Sequence, residues 1–441
     1  MIDLYPHQKE ALALTEGMNL VAYYLDMGLG KTFVGSEKMK QLGAKVNLVV
    51  CQKSKVDDWV EHFKSNYKMC VHDLTDKKEF NEFMLTCLML DEEGGRQTVG
   101  VINYELAFRR SELKQLKDFT LMCDESSQIQ NEKAKRTKFI MQLDYKNLIL
   151  LSGTPTGGKY EKLWSQLKML GYNITKTMFY NQYVDYKYDT SQGFPLMIIN
   201  GYKNVERLKR KMHQHGCVFM KSDEVLDLPQ QSFIPIKVDT SKEYRKFKKD
   251  AIIKLVTYKN QFCELPKNDD ETPFVEIVGD TTLTKMLYER QLCGQYSKDK
   301  LAAFEDLLES TSDRLIVFYN FTAELVELEN IVCEYAIPYS VVNGSGKDLE
   351  AYEKHDNSVT FIQYQAGAMG LNLQKANKIV YFTPPLSSEL YEQSKKRIHR
   401  IGQEQPCFYY NLTCKNSIEE KIYKTLEMRR DYTEALFEKG E

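Results

Sequence analysis

Apolar residues in this chain gather into short, almost unbroken runs separated by longer stretches of helical spacing. The first set lies at Leu20–Leu25, Val46–Cys51, Val99–Ile102, Phe119–Cys123 and Leu148–Leu151. Runs this apolar predict strands covered on both faces, as in parallel sheets. The rhythm returns at Leu315–Tyr319, Tyr339–Val342, Val359–Gln363, Ile379–Phe382 and Cys407–Leu412, with helical patterns at Ala323–Tyr335 and Tyr391–Ile401 between them. The pattern predicts an α/β protein of two lobes, each a mainly parallel sheet covered by helices. The expected boundaries are 1–155 for the first lobe, 156–300 for a helical protrusion and linker, 301–416 for the second lobe and 417–441 for a C-terminal helix. In the middle, Thr156 to Ser312 is richer in helical spacing, Tyr and Lys, and the acidic, Pro-containing stretch Glu264–Pro273 reads as an exposed loop. Ser417-Ile418-Glu419-Glu420 has the pattern of a capping box ahead of a long charged helix.

Composition narrows the class. The 441 residues are 42% hydrophobic and 28% charged, an ordinary globular balance that argues against a disordered chain. Lys plus Arg number 60 against 62 for Asp plus Glu, a net charge of -2 that by itself argues against a nucleic-acid partner. The distribution reverses that argument: residues 131–260 hold 24 basic and 12 acidic residues, and the rest of the chain 36 and 50. A neutral total thus conceals a basic segment suited to a polyanion. The start, MIDLYPHQKEAL, has no basic-then-apolar pattern of a secretory signal, and no run approaches the roughly 20 apolar residues of a membrane span. Ten cysteines are scattered singly without a Cys-x-x-Cys pair. Reduced thiols and a cytoplasmic location are expected, with no structural zinc and no membrane partner.

Leu20–Leu25 runs directly into Asp26-Met27-Gly28-Leu29-Gly30-Lys31-Thr32, after which helical spacing resumes. Strand, Gly-rich turn, Lys-Thr, helix is the order a triphosphate cradle requires. Gly28 and Gly30 let backbone N–H groups approach phosphate oxygens, and the helix N-terminus adds partial positive charge. Lys31 would reach the β- and γ-phosphates and Thr32 would hold Mg²⁺. Leu25 stands where the full phosphate-loop pattern has its first Gly. Hydrolysis also needs acidic groups, and the run Phe119–Cys123 ends in Asp124-Glu125. Asp124 is expected in the Mg²⁺ shell and Glu125 beside the attacking water.

On these residues the chain resembles superfamily-two helicases, and within them the Swi/Snf-type DNA translocases, in the bare-motor form of bacteria or their phages. The resemblance runs over nearly the whole chain. Tyr5-Pro6-His7-Gln8 resembles the upstream Gln element, implying that Gln8 reads adenine. DMGLGKT (26–32) matches the phosphate loop, NLVVCQKSKVDDWVEHF (47–63) and VINYE (101–105) the next elements, and DESSQIQN (124–131) the Asp-Glu-Ala-His element. LSGTPTGGKYEKLW (151–164) resembles the coupling element on Gly153-Thr154-Pro155, and FMKSDEVLDLP (219–229) the exit from the first lobe. RLIVFYNF (314–321), QAGAMGLNLQKANKIVYF (365–382) and EQSKKRIHRIGQ (392–403) resemble second-lobe elements.

The resemblance implies two RecA-like lobes with ATP and Mg²⁺ at their interface, and a DNA-stimulated ATPase that tracks on duplex DNA with little sequence preference. It implies Arg397 and Arg400, one helical turn apart, as residues reaching the ATP phosphates, and Gly370 as part of the nucleotide site. Lys53, Ser54, Tyr104, Thr154 and Asn372 are the implied DNA contacts. A monomeric motor is expected, with other replication or recombination proteins as possible partners. Two alternatives stand beside the translocase: a strand-separating helicase, and an ATP-gated DNA-binding or loading factor without processive movement. Ser126-Ser127 replaces the usual Ala-His, so the His that links hydrolysis to the Gly-Thr-Pro element is missing. Leu386-Ser387-Ser388 replaces the Trp-Asn-Pro common in eukaryotic members.

Overall fold

The computed structural model describes residues 3–89, 97–190, 195–256, 274–366 and 371–437. They form two compact units, Met1–Asp227 with Met428–Glu441, and Leu228–Glu427. The expected loop Glu264–Pro273 lies outside the described residues, as does Gly370.

The first unit is built on β1 (Leu20–Leu25), β2 (Val46–Cys51), β3 (Cys70–Asp73), β4 (Thr98–Asn103), β5 (Thr120–Cys123) and β6 (Asn147–Ser152). An antiparallel hairpin, β7 (Val184–Asp189) and β8 (Leu196–Tyr202), precedes β9 (Cys217–Met220). The main sheet has the order β3-β4-β2-β5-β6-β1-β9, and every pairing in it is parallel. Alternate residues of the strands serve opposite faces: Ala22, Tyr24, Leu48, Val50, Leu121 and Leu150 join one core, and Val21, Tyr23, Val49, Met122, Ile149 and Leu151 the other. Burial on both sides is why these strands read as unbroken apolar runs. The strand β9, drawn from the stretch expected to be helical linker, closes the sheet beside β1.

The second unit contains β10 (Gln231–Val238), an antiparallel ribbon of β11 (Ile252–Val256) and β12 (Phe274–Val278), then β13 (Leu315–Tyr319), β14 (Tyr339–Asn343), β15 (Gly346–Lys347), β16 (Val359–Gln363), β17 (Lys378–Tyr381) and β18 (Cys407–Cys414). Its sheet order is β10-β18-β17-β13-β16-β14-β15, parallel except for β14 with β15. Pro235, which has no N–H to give a ladder, is tolerated because β10 is an edge strand. The alternation recurs, with Ile316, Phe318, Ile379 and Tyr381 on one side and Leu315, Val317, Tyr319 and Val380 on the other.

Two local expectations change. The helix expected over Tyr391–Ile401 spans Ser388–Lys395 and then breaks into turns. The Arg397 carbonyl accepts from Leu373 N at 3.1 Å instead of continuing the helical ladder, and Gly402 adopts a φ of 92°. Arg397 and Arg400 therefore do not share a helix. At the C-terminal helix, Ile418–Phe437, Ser417 Oγ accepts from Glu419 N at 3.1 Å, as a cap should. The Glu420 carboxylate accepts from Asn416 N at 3.0 Å, one residue ahead of the position that a capping box uses.

Candidate active site

Parallel α/β sheets present their ligand sites at the carboxyl ends of the strands. In the first unit the adjacent strands β5, β6 and β1 end at Asp124-Glu125, at Gly153-Thr154-Pro155 and at the loop 26–30. The chain folds this way because each Gly-rich or acidic turn follows directly on a strand that has no other place than the sheet interior.

Gly28 and Gly30 take φ values of 90° and 73°, conformations that L side chains avoid. Gly30 is the N-cap of the helix Lys31–Leu42, so the loop delivers its backbone N–H groups and the helix N-terminus to one place. A Cβ on Gly30 would stand 2.2 Å from Gln8 Nε2. Gln8 Nε2 donates to the Leu29 carbonyl at 3.1 Å, and its Oε1 accepts from Tyr5 N at 3.0 Å. Gln8 thus braces the loop from behind, together with His7 Nε2 on the same Leu29 carbonyl at 3.0 Å. On the other side, Asp26 Oδ2 accepts from Ser222 Oγ at 2.9 Å and from Ser222 N at 3.2 Å, which ties the loop to the turn after β9. Lys31 Nζ donates to the carbonyls of Leu25 at 2.9 Å and Asp26 at 3.3 Å.

Asp124 Oδ2 accepts from the Trp59 indole N–H at 2.8 Å, and its Oδ1 accepts from Glu125 N at 3.0 Å. Removal of water raises its carboxyl above the ordinary range, opposed by the Trp59 hydrogen bond, the nearby Lys31 ammonium and the Glu125 N–H. Glu125 sits in the left-handed region at φ 48°, ψ 60°, where a non-glycine residue carries roughly 1–3 kcal/mol of strain. Its Oε2 accepts from Ser152 Oγ at 3.5 Å. A Cβ on Gly153 would lie 3.3 Å from Lys31 Nζ, so the turn after β6 abuts the phosphate loop. Thr154 is 7% exposed, and its hydroxyl has no hydrogen-bond partner among the described residues. A glycine cradle at a helix N-terminus, an ammonium, a hydroxyl at Thr32 and two adjacent carboxylates form a donor set that fits a polyphosphate with a hard, oxygen-seeking cation.

Residues that the sequence did not single out hold this arrangement together. Trp59 orients Asp124. Gln166 joins three segments: its Oε1 accepts from Tyr24 OH at 2.9 Å and Ser126 Oγ at 2.8 Å, and its Nε2 donates to the Pro155 carbonyl at 2.9 Å. Gln130 Nε2 donates to the same carbonyl at 3.1 Å. A buried Trp or Gln demands partners, but nothing local in the sequence says which ones.

The DNA-contact expectations divide. Lys53 and Ser54 lie exposed in the 3₁₀ turn after β2. Lys53 also lines a groove of about 450 Å³ with Asp57, Asn103, Glu105 and Arg109. Tyr104 does not fit the contact role: it is 1% exposed, and its hydroxyl donates to the Asp124 carbonyl at 2.8 Å. An aromatic at the end of a strand has been used to hold the acidic turn, not to face outward. Thr154 is likewise turned inward. In the second unit, Asn372 is exposed and its Oδ1 accepts from Arg400 Nη1, while Arg397 is buried with Nη1 3.5 Å from the Leu371 carbonyl. The supposed DNA residue and the supposed phosphate-reaching arginine are thus bonded to each other. Loss of water lowers the Arg400 pKa.

Elsewhere in that unit, Cys293, Cys414 and Glu419 bring ligand atoms within 4.8 Å of one another, a grouping invisible to local spacing. Lys300 Nζ occupies the cation's role there, donating to both Glu419 oxygens at 2.6 and 2.7 Å. Among the described residues no helix is long and apolar enough to cross a membrane.

Comparison with known proteins agrees with this geometry. The model of the SNF2-related domain matches residues 24–298, and that of the helicase conserved C-terminal domain matches residues 299–402. The SWI/SNF-related matrix-associated actin-dependent regulator of chromatin subfamily A member 1 of Mus musculus is 24% identical over 94% of this chain, and the chain spans only 41% of that relative's length. An uncharacterised ATP-dependent helicase of Bacillus subtilis (strain 168) is 24% identical over 96% of this chain and 77% of its own. A solved structure, the Sulfolobus solfataricus SWI2/SNF2 ATPase core in complex with dsDNA, aligns over 98% of this chain and 92% of that one with 18% identity and a TM-score of 0.43, too distant to carry an argument. The SNF2-related model covers well over half of the sequence, and the chain belongs to that helicase-like family.

Proposed function

We propose that the protein is a DNA-stimulated ATPase that translocates on duplex DNA with little sequence preference. The observation that carries this reading is the convergence of the phosphate loop, Asp124-Glu125 and the Gly153-Thr154-Pro155 turn at the carboxyl ends of three adjacent strands. Family membership supports the same reading. When bound, ATP would supply the phosphoanhydride bond and Mg²⁺ would offset negative charge on its oxygens.

The chain's own residues do the rest. The loop N–H groups and Lys31 bind the phosphates, and Thr32 with Asp124 holds the cation. Glu125 accepts a proton from the attacking water. Gln8 fixes the loop from behind and has one further amide N–H with which to read the base. Arg397 and Arg400 are proposed to act on the same nucleotide, which requires the Arg400–Asn372 pair to open. Lys53 and Ser54 grip the DNA backbone, so binding is sensitive to salt and tolerant of sequence.

Displacement of a third strand from a triplex, run beside unwinding of a forked duplex, tests the translocase reading. Displacement without unwinding is expected. Unwinding of the fork would make the protein a strand-separating helicase, and neither activity despite ATP turnover would make it an ATP-gated binding factor. Arg400→Ala should retain ATP affinity and lose DNA-stimulated turnover by about 10³-fold or more, and normal turnover would remove Arg400 from this role.

A further inference from the structure

The element Asp124-Glu125-Ser126-Ser127 lacks the histidine by which the acidic strand tip would reach the Gly-Thr-Pro turn, yet the structure joins the two by another route. Ser126 Oγ and Tyr24 OH both donate to Gln166 Oε1, at 2.8 and 2.9 Å, and Gln166 Nε2 donates to the Pro155 carbonyl at 2.9 Å. Ser126, Tyr24 and Gln166 are all completely buried. The orientation of the Gln166 amide is fixed by chemistry: reversing it would set its oxygen against the Pro155 carbonyl, with no proton between them. Burial holds the Tyr24 phenol far above its ordinary pKa, so it stays protonated and always donates. Ser165 Oγ, the neighbouring residue, donates to the Ile129 carbonyl at 2.7 Å, so the helix Leu163–Met169 grips the turn after Glu125 at two points.

We propose that Gln166 is a positioning residue that couples events at Glu125 to the Gly153-Thr154-Pro155 turn, in place of the absent histidine. The inference rests on the ATPase reading above. A rearrangement of Glu125 during hydrolysis shifts Ser126 next to it. Ser126 cannot move without Gln166, and Gln166 cannot move without Pro155 and the Thr154 hydroxyl beside it. A chain of buried hydrogen bonds fixes direction as well as distance, so a displacement at one end is passed to the other.

The variant Y24F/S126A/Q166M removes all three polar groups together, so that no hydrogen-bonding group of the trio stays buried without a partner; Gln130 still serves the Pro155 carbonyl. The expected result is an unchanged melting temperature and KM for ATP, with DNA-stimulated kcat lowered roughly 10–100-fold, the range seen when hydrogen-bond partners behind metal ligands are removed. A purely structural Gln166 predicts wild-type kcat in a variant of unchanged melting temperature, and that outcome overturns the proposal. Should the triple variant fail to fold, Ser126→Ala alone must lower kcat without raising KM, and unchanged kcat overturns the proposal equally. Wild-type protein is the control that separates the two claims. If its ATP turnover is indifferent to duplex DNA, the ATPase reading fails and the coupling role falls with it; if it is stimulated and the variant equally so, only the role of Gln166 fails.

Discussion

Trp59 shows how much of this site depends on a single hydrogen bond. Its indole N–H fixes one oxygen of Asp124 while the other faces the Glu125 N–H. Trp59→Phe keeps the ring stacked on Phe63 and removes only the donor. Loss of a partner that orients a metal-holding carboxylate costs about 10–100-fold in metal affinity. The Mg²⁺ concentration for half-maximal ATP hydrolysis should rise by that order, and an unchanged Mg²⁺ titration would show that Asp124 needs no such guide. Glu324, in the second unit, is a second residue-scale case. It is buried, its Oε2 accepts from Asn320 N, Phe321 N and Thr383 Oγ1, and its Oε1 has no hydrogen-bond partner among the described residues. Burial raises its pKa from 4.5 to about 7, against those hydrogen bonds and the charge of Lys300. Between those values the folded state holds a proton that the unfolded state has released. Stability is therefore greatest at the acid end and falls as pH rises through 7, by about 3 kcal/mol in all. Glu324→Gln should flatten that fall in denaturant unfolding of the second unit measured from pH 5 to 8, and an equal slope in both proteins would rule out the assignment.

Single elements are locked in place by residues distant in sequence. Lys300 in the helix Lys298–Glu309 and Glu419 in the helix Ile418–Phe437 form a fully buried ion pair, and Glu419 also accepts from Cys414 N at 2.9 Å. Removing one member leaves the other buried without its counter-charge. Lys300→Met should destabilise the second unit by about 3–5 kcal/mol, whereas K300M with E419L should recover most of that loss. Denaturant midpoints would check both, and a double variant as weak as the single one would contradict the account. The strands were legible because parallel sheets demand contiguous apolar runs. The fates of β9 and β10 were not, since each is short or edge-placed and lies in a region of helical, basic character. The break after Lys395 was equally hidden, because it depends on a backbone bond to Leu373.

At the scale of the whole molecule, what the sequence reveals is chemistry carried by contiguous residues. Gly28, Gly30, Lys31 and Thr32 are legible together because the phosphate site proposed for them needs a loop and a helix start in succession. The supports of that unit come from far away: Trp59 and Asp124 are 65 residues apart, Asp26 and Ser222 are 196. Tyr104 illustrates the converse error, since a strand-end tyrosine reads the same whether it faces DNA or an interior carbonyl. The charge distribution follows the same logic: a net charge of -2 conceals a basic stretch over 131–260 that suits a nucleic-acid track. All of these features meet in one claim, that duplex DNA drives ATP turnover at a site whose base is Glu125. The direct measurement is phosphate release by the wild type and by Glu125→Gln, with and without duplex DNA. The account predicts strong stimulation of the wild type by DNA, and a variant that still binds ATP and DNA but turns over about 10²–10⁴-fold more slowly. Wild-type turnover that ignores DNA, or normal turnover by Glu125→Gln, would contradict it.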